Sequence, residues 1–240
     1  MSDTKQALRE RTWAALRAAR AHRFPGTRHR IPNFVGAEAA AARLATLPAF
    51  RDAQILKVNP DSPQRPVRHA ALKAGKVLVI PAPKLAEDAP FLVLDPAEIE
   101  PGLYWRASAI KGAFALGVPA SAAAVGRLDL IVTGCVGAGR DGARLGKGGG
   151  YSDLEYAMLR ELELVDSDTP IVTTVHPVQL MDAGAIPMTD HDISLDWIVT
   201  PEETIDCARA FARPPGVLWD RLSEEKIATI PALRSRRPDG

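Results

Sequence analysis

The sequence predicts an α/β fold of three layers, with helices on both faces of a mainly parallel sheet. Two patterns carry this. Short apolar runs such as "AQILKV", "LDLIVTGCV", "PIVTTVHP" and "LDWIVTP" recur along the chain, as strands buried on both faces do. Stretches of helical length alternate with them, the order that builds parallel sheets. Size agrees: 240 residues, 46% hydrophobic and 25% charged, are enough for one α/β domain with a sizeable core. With no Gly/Ser-rich linker in the sequence, residues 1–240 read as a single domain, with 214–240 a C-terminal extension.

"TKQALRERTWAALRAARA" sets Leu8, Trp13, Leu16 and Ala19 on one stripe and predicts a first helix. "RFPGTRHRIPNF" breaks it with proline and glycine, and "GAEAAAARLATLPAF" predicts a second helix. "AQILKV" is the first strand. "NPDSPQ" is a turn in which Asp61 or Ser62 caps another helix with Pro63 in its first turn. "KVLVIPAP" and "PFLVLDP" are strands bounded by proline, and "ASAIKGAFAL" is a short helix. The last three strands, "LDLIVTGCV", "PIVTTVHP" and "LDWIVTP", alternate with helices over "SDLEYAMLREL" and "EETIDCARAFA". The basic tail "RSRRPDG" is expected to fray. Trp13, Trp105, Trp197 and Trp219 are expected to pack rather than to form a stacking platform.

A net charge of +1 argues against a nucleic-acid or membrane partner. No apolar run approaches the ~18 residues of a spanning helix, and the polar, basic first residues lack the apolar core of a signal peptide. Cys135 and Cys207 have neither metal-ligand spacing nor a disulfide framework. A reducing, cytoplasmic setting is therefore expected, with Cys135 a core residue. His176, His191, Asp182, Asp190 and Asp192 fit no compact zinc pattern; His191 and Asp192 are expected to fix the loop before the last parallel strand.

The chemistry concentrates in "GAGRDGARLGKGGGYSD", Gly137 to Asp153. "GAGRDG" matches a dinucleotide fingerprint, but no helix opens directly after it, and Glu161 and Glu163, near the right distance, sit in a predicted helix rather than at a strand end. "GARLGKGGG" is not a P-loop, because its glycine spacing is wrong and no Ser or Thr follows Lys147. The remaining reading is a different phosphate cradle. Gly146, Gly148, Gly149 and Gly150 bring bare N–H groups close to an anion. Arg144 and Lys147 add positive charge, and the next helix points its N-terminus at the loop. Asp153 would cap that helix or hold a phosphate-bound cation. Tyr151 would pack on a nucleotide or staple the helix through Leu154.

At "RLGKGGGYSD" the sequence resembles the 5-formyltetrahydrofolate cyclo-ligase (methenyltetrahydrofolate synthetase) family, whose pattern is Arg-Leu-Gly-x-Gly-x-Gly-Tyr-Tyr-Asp. Arg144, Leu145, Gly146, Gly148, Gly150, Tyr151 and Asp153 match it, and Gln179, Pro187, His191, Asp192, Asp196 and Thr200 match later positions in order. Lys5 and Arg9 match the family's Lys-x-x-x-Arg, and Asp61 stands near the place of a folate-contacting Glu. Ser152 replaces the second tyrosine, and Ala138 and Gly139 replace an aromatic-acidic pair. These departures resemble a divergent branch related to the methenyltetrahydrofolate synthetase domain-containing proteins.

The resemblance implies a cyclo-ligase-like fold related to the CoA transferases, and an ATP- and Mg2+-dependent reaction. 5-Formyltetrahydrofolate would take the γ-phosphoryl group on its formyl oxygen, and the neighbouring nitrogen would close the ring with loss of phosphate. Together, the resemblance and the phosphate-cradle reading that supplies Lys147 and Gly149 assign Lys5, Arg9, Arg144, Gly146, Lys147, Gly148, Gly149, Gly150 and Tyr151 to ATP, with Arg144 and Lys147 catalytic, and Asp153 to Mg2+. Asp61, by the resemblance, and Lys57 and Gln64, which with Asn59 and Arg68 surround the turn after the first strand where ligands of parallel sheets bind, would contact a folate-like substrate; a solvated turn is the other reading of these residues. Like charges at Lys5 and Arg9, one helical turn apart, repel unless a polyphosphate is shared between them. The alternative function is a nucleotide- or folate-binding paralogue without turnover. The protein is expected to be a monomer or homodimer.

Overall fold

Alternation of side chains along each strand decides the architecture. The computed structural model describes residues 4–81, 90–234 and 236. Its helices are α1 (Lys5–Ala18), α2 (Ala37–Leu44), α3 (Pro48–Asp52), α4 (Arg65–Lys73), α5 (Tyr104–Ala107), α6 (Ile110–Leu116), α7 (Ala122–Val125), α8 (Tyr151–Glu161), α9 (Glu224–Thr229) and α10 (Pro231–Arg234). Its strands are β1 (Ile55–Val58), β2 (Val77–Pro81), β3 (Phe91–Leu94), β4 (Val118–Ala120), β5 (Leu130–Val132), β6 (Gly137–Gly139), β7 (Arg144–Leu145), β8 (Ile171–Thr174), β9 (Leu180–Met181), β10 (Trp197–Val199) and β11 (Thr204–Asp206). The large sheet runs β11-β10-β8-β5-β1-β2-β3-β4. Its centre, from β10 to β2, is parallel, while β11, β3 and β4 pair antiparallel at the edges.

Leu78 and Ile80, Leu130 and Val132, Val172 and Val199 point to one face, where they meet Leu44, Phe50, Val67 and Leu72 of α2, α3 and α4. Their neighbours Val79, Ile131, Ile171 and Ile198 point to the other, against Tyr156 and Leu159 of α8. Strands apolar on both faces thus produce the expected three layers. α1 joins differently: Leu8 and Trp13 pack with Val136, Ala143 and Leu145 on a separate small sheet, β7-β6-β9. The extension also packs, with Val217, Ile227, Ile230 and Leu233 against Leu154, Ala157 and Met158 of α8.

The single helix expected over "GAEAAAARLATLPAF" is two, α2 and α3, and two further segments depart from expectation. "GAGRDG" is the first half of a hairpin, β6 to β7, whose three-residue loop Arg140-Asp141-Gly142 closes with Gly142 N donating to Gly139 O at 2.8 Å and places glycine at the left-handed position. Gly139 N donates to Ala143 O at 2.8 Å, and Asp141 Oδ1 accepts from Ala143 N at 3.2 Å. The helix expected over "EETIDCARAFA" is replaced by β11 and a turn. The Thr200 hydroxyl accepts from the N–H groups of Glu202 and Glu203 and turns the chain, and β-branched Thr204 and Ile205 then pair with β10. Ala208 and Arg209 take positive φ, which ends any regular element there.

Smaller outcomes follow the same logic. Asp61 precedes the turn Ser62–Gln64 without a side-chain cap bond. Cys135 is buried beside Thr173. Trp13 is buried, but Trp105 is 48% exposed, with the Arg65 guanidinium 3.9 Å over its ring. The expected fraying of "RSRRPDG" falls largely outside the described residues. Among the described residues, no helix is long and apolar enough to cross a membrane.

Gly142 and Gly75 provide a paired test of the hairpin. Both have positive φ, but a Cβ on Gly142 would lie 2.6 Å from Leu195 O, while nothing is within 4 Å at Gly75. Gly75→Ala is expected to cost about 1 kcal/mol from backbone strain alone, and Gly142→Ala at least about 3 kcal/mol as strain and overlap add. Urea unfolding midpoints check this; equal losses would contradict it.

Candidate functional site

β1 ends at Val58 in the parallel centre of the sheet, and ligands of such sheets sit beyond the strand C-termini. There Asn59, Pro60 and Asp61 form one wall of a cavity of about 560 Å3, within the usual size of a small-molecule site. Lys5 and Arg9 of α1 form a second wall, Arg144 with residues 146–153 a third, and His191 and Asp192 close it.

α1 reaches the cavity because its apolar stripe is docked on the small sheet, leaving Lys5 and Arg9 on the free flank. The two cations do not face each other unrelieved. Lys5 Nζ pairs with Asp192 Oδ2 at 2.5 Å, and Arg9 Nε donates to Gly146 O at 2.7 Å. Asp192 also accepts from the backbone and hydroxyl of Thr189, each at 2.7 Å, so it fixes this loop as expected. Burial pushes the Asp192 carboxyl up, but the bonds from Lys5 and Thr189 outweigh it and hold it below the usual range. Burial lowers the Arg9 pKa, with Asp192 opposing and Arg144 reinforcing.

The glycine loop runs from β7 into α8. Gly148 and Gly150 take φ of +107° and +66°, conformations that favour glycine. Gly150 is the N-cap residue of α8, and no side chain caps that helix. Its first N–H groups are therefore open toward an anion. Asp153 does not cap. Its Oδ1 accepts from Arg144 Nη1 at 3.0 Å and from the N–H of Ile193 at 3.1 Å. Arg144 is buried, and its Nε–H has no partner among the described residues, an arrangement that native proteins rarely leave unexplained. Lys147 is half exposed and 4.0 Å from Asp61 Oδ1, at the limit of an ion pair. The Tyr151 ring folds back on Gly149, where a Cβ would be 2.8 Å from it. It also packs against the cluster that holds Leu154.

The residues expected around a folate-like ligand divide. Asn59 and Asp61 line the cavity. Lys57 and Gln64 are corrected: both are buried behind the wall. Lys57 pairs with Glu155 of α8 and donates to Asn59 Oδ1 at 2.8 Å; burial, then the Arg144 charge, push its ammonium down. Gln64 donates to Thr174 at 3.3 Å. Arg68 is also buried and donates to the carbonyls of Asn59, Asp61 and Ser108, so it holds the turn from behind. Burial lowers it to about 9.

Glu155 and Lys226 escape the sequence reading, and Ser152 enters it only as a departure from the family pattern. Ser152 Oγ accepts from Asn59 Nδ2 at 3.1 Å, and Lys226 Nζ donates to Gly149 O at 3.3 Å. Glu155 did leave a signal. It is a lone acid inside the apolar "LEYAML", as Lys57 is a lone cation inside "ILKV", and buried charges require partners.

Among the described residues no three His, Cys, Asp or Glu side chains gather as a metal cluster. Magnesium needs less: one or two carboxylates plus phosphate oxygens. Asp153 lines the cavity with its Oδ1 committed, so its second carboxylate oxygen is the group that would meet that requirement.

Comparison with known proteins matches residues 1–201 to the model of the 5-formyltetrahydrofolate cyclo-ligase family. A methenyltetrahydrofolate synthase domain-containing protein of Mus musculus is 37% identical over 235 residues, 98% of this chain and 63% of that protein. The Homo sapiens protein of the same name is 34% identical over 235 residues, 98% of this chain and 61% of its own length. The chain thus spans less than two thirds of these relatives. The solved structure of Aquifex aeolicus 5,10-methenyltetrahydrofolate synthetase superposes with a TM-score of 0.53 at 21% identity, covering 85% of this chain and 92% of that one, a likeness of fold.

The Asp192 contacts predict a pH-dependent stability. Because the folded pKa is depressed, the stabilisation is present above the unfolded value of about 3.9 and is lost as pH falls through the folded value. Asp192→Asn should lower the urea midpoint at pH 7, and its difference from wild type should narrow as the pH is lowered below about 4. A difference that persists unchanged at pH 3 would contradict the Lys5–Asp192 assignment.

Proposed function

The chain belongs to the 5-formyltetrahydrofolate cyclo-ligase family, and on that premise we propose that it uses ATP and magnesium to convert 5-formyltetrahydrofolate to 5,10-methenyltetrahydrofolate, ADP and phosphate. The observation that carries this reading is the uncapped N-terminus of α8 behind a glycine loop, with Lys5, Arg9, Arg144 and Lys147 on the wall of the same cavity.

Phosphoryl transfer asks for positioning and charge stabilisation rather than a protein nucleophile. The amides of Gly148, Gly149, Gly150 and Tyr151 would cradle the phosphates, and Lys147 and Arg144 would take the charge that develops on the γ-phosphoryl group. Lys5 and Arg9 would complete the cationic wall on the α1 side, beside Gly146. Asp153 would hold the magnesium that accompanies the triphosphate and neutralises its charge. Asn59 and Asp61 would contact the folate-like substrate, with Lys57, Gln64 and Arg68 fixing that turn from behind. The formyl oxygen forms a bond to γ-phosphorus as the bond to ADP breaks. The neighbouring nitrogen then attacks the activated formyl carbon and gives up its proton, and the C–O bond breaks to release phosphate. The reading carries a cytoplasmic, monomeric or homodimeric protein with no nucleic-acid partner.

A second reading, a nucleotide- or folate-binding protein without turnover, is favoured by Ser152, which faces the cavity and bonds Asn59 where the family carries a second tyrosine.

Purified protein with ATP, magnesium and 5-formyltetrahydrofolate should form the methenyl product, followed by its absorbance. ATP binding without product would support the second reading instead. Lys147→Ala should weaken ATP binding by about tenfold or more, the loss of one charge-assisted contact, as measured by calorimetry. Unchanged affinity would remove Lys147 from the phosphate site.

A further inference from the structure

Residues 214–226 lie beyond the 1–201 stretch that matches the family, yet they return to the glycine loop. Lys226 Nζ bonds Gly149 O. Leu218 and Leu222 line a second cavity, of about 320 Å3, with Leu154 and Ala157 of α8. Gly148, Gly150, Asp153 and His191 line both cavities, so the two meet at the loop. The first extends toward α1 and the β1 turn; the second extends toward the extension.

That arrangement has a consequence for any triphosphate held there. In phosphoryl transfer the attacking and leaving oxygens lie roughly in line across the γ-phosphorus. An acceptor in the first cavity therefore directs the β-phosphate and nucleoside away from that cavity. The second cavity offers what a nucleoside needs: aliphatic walls for the base and a cation, Lys226, on the loop side. Its size is at the small end of ligand pockets, suited to one end of a ligand rather than the whole.

We propose that the second cavity receives the nucleoside end of the nucleotide, which makes residues 214–226 a wall of the nucleotide site. The proposal rests on the ATP reading above. It accounts for a lysine and two half-buried leucines outside the family match that converge on the one loop where phosphate would bind.

Calorimetry with magnesium-ATP and with magnesium-tripolyphosphate separates the two ends of the ligand. Wild type should bind ATP at least about tenfold tighter than tripolyphosphate. Leu222→Trp, which fills the second cavity, should abolish that margin and leave tripolyphosphate binding within about twofold of wild type. Photolabelling of the wild-type protein with an azidoadenosine triphosphate should mark peptides within 154–157 or 214–226. Wild type that binds both ligands equally, a variant that binds ATP as wild type does, or label confined to α1 and the 59–61 turn would each overturn the proposal. If the variant weakens both ligands alike, the site of wild-type labelling decides. Wild type that binds neither ligand would refute the ATP reading itself.

Discussion

One carboxylate oxygen joins three parts of the site. Asp153 Oδ1, in the first turn of α8, accepts from Arg144 at the end of the small sheet and from the backbone of Ile193. Two further ion pairs extend the same construction. Lys57 of β1 meets Glu155 of α8 in the interior, and Lys5 of α1 meets Asp192 at the edge of the cavity. Removing one partner of a buried pair leaves the other charge uncompensated, at about 3–5 kcal/mol. The large sheet, the small sheet, α1 and α8 are thereby held in one arrangement, with the open end of α8 facing the cavity.

The acids also explain how so many cations share one wall. Lys5 has Asp192, Arg144 has Asp153, and Arg9 donates to a carbonyl, while Lys57, buried behind the wall, has Glu155. Without an anion the wall is already compensated, which lets the cations stay in place instead of swinging out to water. Lys147, half exposed and 4.0 Å from Asp61, is held least. Pre-placed donors need no reorganisation when charge develops, the condition under which electrostatic stabilisation is largest.

Strand periodicity made the sheet legible, because every central strand is an apolar run whose alternate residues fill two cores. The glycine loop was legible because a cluster of glycines next to cations has few packing uses. What stayed hidden depended on distance in sequence. Lys57 and Glu155 are each conspicuous locally, but their pairing requires β1 and α8 to be neighbours. Turn chemistry also competed with periodicity: "EETIDCARAFA" has helical spacing, yet the Thr200 hydroxyl and β-branched Thr204 and Ile205 turn it into an edge strand. The place of Lys57 and Gln64 around the turn after β1, where ligands of parallel sheets bind, predicts both on the cavity surface. Burial placed both beneath it, as supports for Asn59 and Asp61.

In the proposed reaction the backbone of the glycine loop is the phosphate-binding element. Amide hydrogen exchange with and without magnesium-ATP tests it at the backbone itself. Exchange over residues 146–151 should slow by at least about tenfold, with the buried middle of α8 unchanged. Exchange in that loop unaffected by saturating ATP, with protection confined elsewhere, would contradict it.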